Sequence, residues 1–190
     1  MSSGPELAEV LAEAFRLLAR GVADRRHPFH RPTLATIGLD GMPQARTVVL
    51  RRFDPLRRQL RLYTDSRAAK AAELAAFPWA ALHGYDPDGQ LQLRLRGRAS
   101  LHQDDAEADA AWASSPAGSR ALYAISPAPG TACAAPPPAP QDSEGGRPHF
   151  CLMVLELTRL EWLHLATGGH RRARFDWPGD GAHTATWLVP

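Results

Sequence analysis

The sequence predicts a mainly β fold with helices, of the α+β class, whose strands form a closed or nearly closed antiparallel barrel. Three observations carry that reading. Short apolar segments recur along most of the chain, turn-forming pairs such as Asp40-Gly41 and Asp88-Gly89 separate them, and helical periodicity is confined to the start and the middle. Strand and helix do not alternate regularly, which disfavours a doubly wound parallel sheet. At 190 residues the chain suits one compact domain, 1–190, large enough to bury a real core.

Residues 6–24 place Leu7, Val10, Leu11, Phe15, Leu17, Leu18 and Val22 at helical intervals, with Glu and Arg between them, which predicts an amphipathic helix. The stretch RRHPFHRP that follows reads as a breaker-rich linker. Thr33–Leu39 and Gln44–Phe53 read as the two strands of a hairpin turned at Asp40-Gly41. After Leu60–Thr64, Ser66 is the expected N-cap of an Ala-rich helix, Arg67–Ala76, which stops before Pro78. Trp79–Tyr85 and Gln90–Leu101 follow as strands. In the second, Leu91, Leu93 and Leu95 alternate with Gln92, Arg94 and Arg96, so one face enters a core and the other presents polar groups. Asp104–Ala113 reads as a short helix with an acidic front. Residues 126–148 are too rich in Pro, Gly and Ala for a core and are expected as a long loop or a disordered insert. Phe150–Leu157, Glu161–Ala166, Arg171–Trp177 and Thr184–Val189 close the chain as short strands.

Composition removes several function classes. A net charge of +2, with no dense basic run and no aromatic stacking platform, argues against a nucleic-acid partner. No apolar run approaches the roughly 18 residues that span a bilayer, so no membrane segment is expected. The amino end carries Glu6, Glu9 and Glu13 where a secretory signal would need a basic region and an apolar core. Cys133 and Cys151 form no CxxC pair, which fits a reduced, cytoplasmic protein. The eight histidines lack further partners at metal-ligand spacing, so no metal site is expected. Neither GxGxxG after a strand nor GxxxxGK[ST] occurs. Of the 22 basic residues only Lys70 is lysine, a bias that arginine-rich codon usage explains.

Candidate chemistry concentrates between residues 46 and 96. In Tyr63-Thr64-Asp65-Ser66-Arg67-Ala68-Ala69-Lys70 a strand turns into a helix. Arg67 and Lys70, three apart, would share a helix face beside free backbone N–H groups, which suits a dianionic phosphate. A solvated, functionless helix face is an equal reading of the same pair. Tyr63 and Thr64 are also ordinary strand residues. Arg46 and Arg51 bracket the apolar run Thr47-Val48-Val49-Leu50, where an unpaired guanidinium is costly, so each needs an anionic partner or a strand end in water.

Three segments in this order and spacing, ARTVVLRRFD, LYTDSRAAKAAEL and QLRLRGRA, resemble the FMN-binding split-barrel family related to pyridoxamine 5′-phosphate oxidase. The closing HRRARFDW and WLVP resemble that family's end motif, and the likeness covers residues 30–190 apart from the Pro-rich segment. The resemblance implies an antiparallel split β-barrel that forms a homodimer, with FMN at the interface. It would set Arg46 near the phosphate or ribityl chain and the main chain of Val48, Val49 and Leu50 at the ring, with Thr47 and Arg51 along the flavin. Tyr63 and Thr64 match a flavin-contacting pair, Ser66, Arg67 and Lys70 would hold the phosphate, and Gln92 and Arg174 match further flavin contacts.

The implied activity is an oxidase or reductase in which a small substrate passes a hydride to the flavin and oxygen reoxidises it. No protein nucleophile is required. Ser119, His170 and Arg172 are the candidate substrate contacts. The chain departs from the family pattern at five points: Ser115 stands where a substrate-gripping arginine is expected, Ala111 where a tyrosine is, Ala69 where a phosphate-turn arginine is, His170-Arg171-Arg172 where an Arg-x-His substrate motif is, and the flavin-contacting tryptophan is replaced near His164 or displaced to Trp162. The alternative reading is a non-catalytic split-barrel protein that binds flavin, deazaflavin or haem.

Overall fold

A computed structural model describes residues 5–140, 142–179 and 182–190. The extreme amino end of the expected non-signal segment and residue 141 of the Pro-rich segment lie outside the described residues. Helix α1 (Pro5–Ala23) buries Leu7, Val10, Ala14 and Leu18, the stripe that i, i+3, i+4 spacing predicts. The segment after it is not a mere linker. Pro28–His30 forms a 3-10 turn that drives Phe29 into the main core, where it is 2% exposed. The turn is held because Nδ1 of His30 donates to the Gly21 carbonyl at 2.7 Å. A Cβ at Gly84 would lie 2.3 Å from the Phe29 ring, so glycine there makes room for the plug.

Strands β1 (Thr33–Ile37) and β2 (Pro43–Thr47) form the expected hairpin, with Gly41 at φ +80 in its turn. The expected return strand Gln44–Phe53 is in fact two. At Val48-Val49-Leu50 three apolar residues in a row end the alternation, and the Val48 N–H turns aside to the Pro32 carbonyl at 3.0 Å. The chain then starts β3 (Leu50–Asp54), which pairs with β4 (Gln59–Asp65) at the far end of the sheet.

Helix α2 (Ala69–Ala76) begins later than expected and takes no side-chain cap from Ser66. The Asp65 carboxylate accepts the Arg67 N–H at 2.8 Å, and its carbonyl accepts from Ala68 N at 3.1 Å, so a turn occupies residues 65–68. Arg67 therefore precedes the helix and shares no helix face with Lys70.

Strands β5 (Trp79–Asp86) and β6 (Leu91–His102) follow the expected alternation. The two strands expected at Phe150–Leu157 and Glu161–Ala166 are one, β7 (Phe150–His164). Continuous pairing with β6 carries it through Thr158, because a bulge at Arg96/Gly97 absorbs the register change. Residues 150–156 of β7 pair with β4, whereas 159–164 pair with β8 (Arg171–Asp176), which in turn pairs with β9 (Thr184–Leu188). The sheet thus splits at β7, with the path β2-β1-β5-β6-β7-β4-β3 and β8-β9 branching from it, all antiparallel.

Helix α3 (Ala106–Ala113, capped by Asp105) covers β7, and the short α4 (Ala117–Ala121) follows it. Among the described residues, this nine-stranded sheet with four α-helices is the expected α+β architecture. The Pro-rich segment is a loop pinned at its end, where Glu144 meets Arg120 at 2.9 Å and Pro148 O accepts from Gln103 at 2.9 Å. No described helix is long and apolar enough to cross a membrane.

Candidate functional site

The predicted site residues fall into separate neighbourhoods. The first is the corner where α2 meets β1 and β2. Antiparallel register sets Arg46 opposite Leu34, on the face that looks inward. There its NH2 donates to Glu73 Oε2 at 2.8 Å and its NH1 donates to Thr36 Oγ1, whose own hydroxyl donates to Glu73 at 2.5 Å. Glu73 and Thr36 are both buried. The anionic partner that Arg46 requires is thus supplied within the chain, and the sequence reading missed it. Its spacing three residues after Lys70 in α2 is the signal that could have found it.

Lys70 is half-buried and makes no ion pair among the described residues. Burial, then the neighbouring Arg46 charge, lower its pKa below the ordinary 10.5, while Asp65 and Glu73 act in the opposite sense.

The turn between β4 and α2 forms the second neighbourhood. Arg67 grips Asp65 through Nε at 3.0 Å and NH2 at 2.7 Å, and NH2 also reaches the carbonyls of Tyr123 and Ile125 at 3.2 and 3.0 Å. Only its NH1 is left for another acceptor. Ser66 donates its N–H to the His149 carbonyl at 2.8 Å. Its side chain opens on a cleft of about 290 Å³ shared with Ala71, Ala72, Leu101, Gln103 and Cys151. Burial pushes the Cys151 thiol up to about 11, so it is no nucleophile near neutrality.

Beside that turn, Arg51 is the extra residue of a bulge, since Leu50 pairs with Leu62 and Arg52 with Arg61. Its guanidinium lies 5.5 Å from the centroid of the Tyr63 ring, and its buried Nε has no hydrogen-bond partner. Tyr63, Tyr123 and Trp112 pack edge-on around Phe150, with centroids 5.0, 5.2 and 5.3 Å away. Burial raises the Tyr123 phenol to about 12, keeping it neutral. Thr64 is buried beside them, and Thr47, Val48, Val49 and Leu50 cross from β2 to β3.

Gln92, Arg172 and Arg174 lie elsewhere, on the outer face of β6, β7 and β8. Gln92, Leu163 and Arg172 stand in one row across the strands, and Arg94, Glu161 and Arg174 in the next. Glu161 accepts from Arg172 at 2.5 Å and meets Arg94 at 3.4 Å. Burial alone would raise its pKa, but these arginines hold it below the ordinary carboxylate value. Arg174 Nε is 2.8 Å from Asp176, yet the angle makes no hydrogen bond and the buried N–H is left without an acceptor. Gln92 accepts from His83 at 3.1 Å. Ser119 lies in α4, whereas His170 lies in the exposed turn before β8 and Arg172 within that strand.

Cationic donors without a full set of partners thus remain in two neighbourhoods: Lys70, which makes no ion pair among the described residues, beside Arg46 at the α2 corner, and the buried Nε of Arg51 at the bulge. An anionic, partly aromatic ligand answers that donor set.

A family model described as pyridoxamine 5′-phosphate oxidase, FMN-binding domain, matches residues 12–103. The pyridoxine/pyridoxamine 5′-phosphate oxidase 2 of Arabidopsis thaliana is 32% identical over 164 residues, covering 81% of this chain and 82% of that protein. The pyridoxine/pyridoxamine 5′-phosphate oxidase of Thermosynechococcus vestitus is 40% identical over 116 residues. That match covers 60% of this chain and only 54% of the relative, about half its length. Among solved structures, a pyridoxamine 5′-phosphate oxidase-related, FMN-binding protein of Nostoc punctiforme superposes with a TM-score of 0.75 at 27% identity, covering 100% of both chains. PhzG of Burkholderia lata shares the fold, with a TM-score of 0.76 at 22% identity, covering 100% of this chain and 98% of its own.

Proposed function

Because the chain belongs to the pyridoxamine 5′-phosphate oxidase-like FMN-binding family, we propose that it is an FMN-dependent oxidoreductase acting on a small molecule. The observation that carries this reading is the set of unmatched donors at Lys70, Arg46 and Arg51, which suits the phosphate and ring of a flavin mononucleotide. Bound FMN would accept a hydride from the substrate and pass two electrons to oxygen, releasing hydrogen peroxide.

The chain's own groups would bind and orient. Lys70 and the free N–H groups of Arg46 would neutralise the phosphate, with Ser66 and the NH1 of Arg67 at its margin. The main chain of Thr47 to Leu50 would run along the flavin, and Arg51, Tyr63 and Thr64 would flank it. Gln92 and Arg174 face outward, where they would serve a flavin only if two copies of the chain meet. That supports a homodimer in which each site draws on both. An exposed apolar groove of about 260 Å³ elsewhere on the sheet, lined by Ile37, Pro43 and Trp79, supports the same assembly. Two unpaired cysteines support a cytoplasmic assignment.

One observation favours a substrate other than a phosphorylated B6 vitamer. Ser115, where the resemblance expects an arginine, is buried, and its hydroxyl donates to the Ala111 carbonyl at 2.9 Å. Ser119, His170 and Arg172 remain proposed substrate contacts. The test is the absorbance spectrum of the purified protein followed by peroxide release with pyridoxamine 5′-phosphate. A flavin spectrum with turnover is expected if the vitamer is a substrate. A flavin spectrum without turnover retains the cofactor and moves the reading to another substrate or to non-catalytic flavin binding. A colourless protein that takes up no FMN would overturn the proposal.

A further inference from the structure

We infer that Glu73 is the positioning residue of the phosphate corner: held between Thr36 and Arg46, its carboxylate aims Arg46 and offsets the Arg46 charge beside Lys70. The inference rests on the FMN reading above and names the residue that makes its anion site work.

A buried carboxylate is retained at a cost unless its partners satisfy it, and Glu73, 5% exposed, is satisfied by two groups from two other strands. Thr36 belongs to β1 and Arg46 to β2, so Glu73 ties α2 to the first hairpin across 37 and 27 residues of chain. The bond from Arg46 NH2 fixes the plane of the guanidinium. The N–H bonds not taken by Glu73 and Thr36 then point in a defined direction, which a fork-shaped donor needs for phosphate.

The second effect is electrostatic. Arg46 and Lys70 are like charges in a half-buried corner, and each raises the cost of the other's proton. The charged groups acting on Lys70 are Arg46 from β2, Asp65 from β4 and Glu73 on its own helix. Asp65 and Glu73 both favour the Lys70 proton; Asp65 is bonded to Arg67, whereas Glu73 is bonded to Arg46, the very cation that opposes Lys70.

Glu73→Gln keeps the shape and the accepting oxygen while removing the charge. Lys70 is the only lysine, so lysine-specific 13C labelling yields a single side-chain resonance whose titration reports this site directly. In Glu73→Gln apoprotein the Lys70 pKa is expected to fall below its wild-type value. FMN affinity, read by quenching of flavin fluorescence, is expected to weaken about tenfold at neutral pH, with Glu73→Asp recovering most of it. A merely structural role would lower the melting temperature and leave the Lys70 titration where it was.

An unchanged Lys70 titration together with FMN affinity within about twofold of wild type would overturn the inference. Should Glu73→Gln fail to fold, Thr36→Val loosens the carboxylate without altering charge. It is expected to weaken FMN about threefold, and no change overturns the inference equally. If wild type itself binds no FMN, the flavin reading fails, while the Lys70 titration still decides the role of Glu73.

Discussion

Arg67 folds back onto Asp65, two residues before it, through Nε and NH2, and carries the Tyr123 and Ile125 carbonyls on the same NH2. One guanidinium thus closes the turn that opens α2 and ties the α4 side of the molecule to it. Arg67→Ala strands a buried carboxylate and two carbonyls, and is expected to cost about 2–4 kcal/mol in urea denaturation. Proteolysis between residues 122 and 147 should accelerate with it. Lys70→Ala should instead leave stability nearly unchanged and weaken FMN by about 1.5–3 kcal/mol, the worth of one charge-assisted bond. The division of labour fails if Arg67→Ala weakens FMN as much as Lys70→Ala while urea stability is retained.

Gly97 sits in the bulge that lets β6 follow β7 without a break. A Cβ there would come 2.0 Å from the Glu156 carbonyl oxygen, a backbone atom in the middle of the sheet that cannot step aside. Gly97→Ala is therefore expected to lose at least about 2 kcal/mol or to accumulate as insoluble protein. Gly118, in α4, has nothing within 4 Å of its virtual Cβ, and alanine there should raise stability by up to about 1 kcal/mol. Equal melting temperatures for the two variants would show that the bulge tolerates a side chain.

What the sequence disclosed and what it hid follow from the range of the interactions. The α1 stripe, the Asp40-Gly41 turn and the Leu91/Leu93/Leu95 alternation are local patterns, and they are where the sequence reading expected them. The division of 44–53 between two ends of the sheet is set by partners far away in sequence, as is the fusion of 150–164 into one strand that serves β4 and then β8. The site divides the same way. The segments around Arg46, Tyr63 and Lys70 are legible as motifs. That Arg67 spends itself on Asp65, and that Glu73 captures Arg46, depends on a turn and a helix start that shift by two residues. Phe29 is the plainest case, since its Pro- and His-rich surroundings read as linker while its ring fills the core over Gly84.

His27 gives the stability a pH dependence. Burial, then the nearby Arg20 charge, lower its pKa from 6.5, against the pull of Asp86 and Asp24. Its neutral Nδ1 accepts from the Phe29 N–H at 3.3 Å, a role protonation abolishes. The folded state binds this proton less readily than the unfolded chain does. The contribution is therefore fully present above pH 6.5 and is lost as pH falls from 6.5 through the lowered folded value. Urea stability should be flat on the alkaline side of that window and decline below it. His27→Asn should reduce the decline, and an identical slope in the variant would assign it to other groups.

Trp79 tests the proposed assembly. It is 51% exposed, beside Ile37 at 42%, with Tyr85 at 41% farther along β5 on the same outer face. Burying such a side chain against a second copy is worth about 1.5–3 kcal/mol, so a charge placed there should cost the interface at least that much. Trp79→Asp is expected to run at the monomer mass in light scattering at a concentration where wild type runs at twice the chain mass. Its own fold should survive, because Trp79 lies outside the buried core. FMN affinity should fall in step with the dimer fraction if Gln92 and Arg174 of one copy complete the site of the other. A variant that stays dimeric, or a monomer that binds FMN as tightly as wild type, would separate the flavin site from the apolar face.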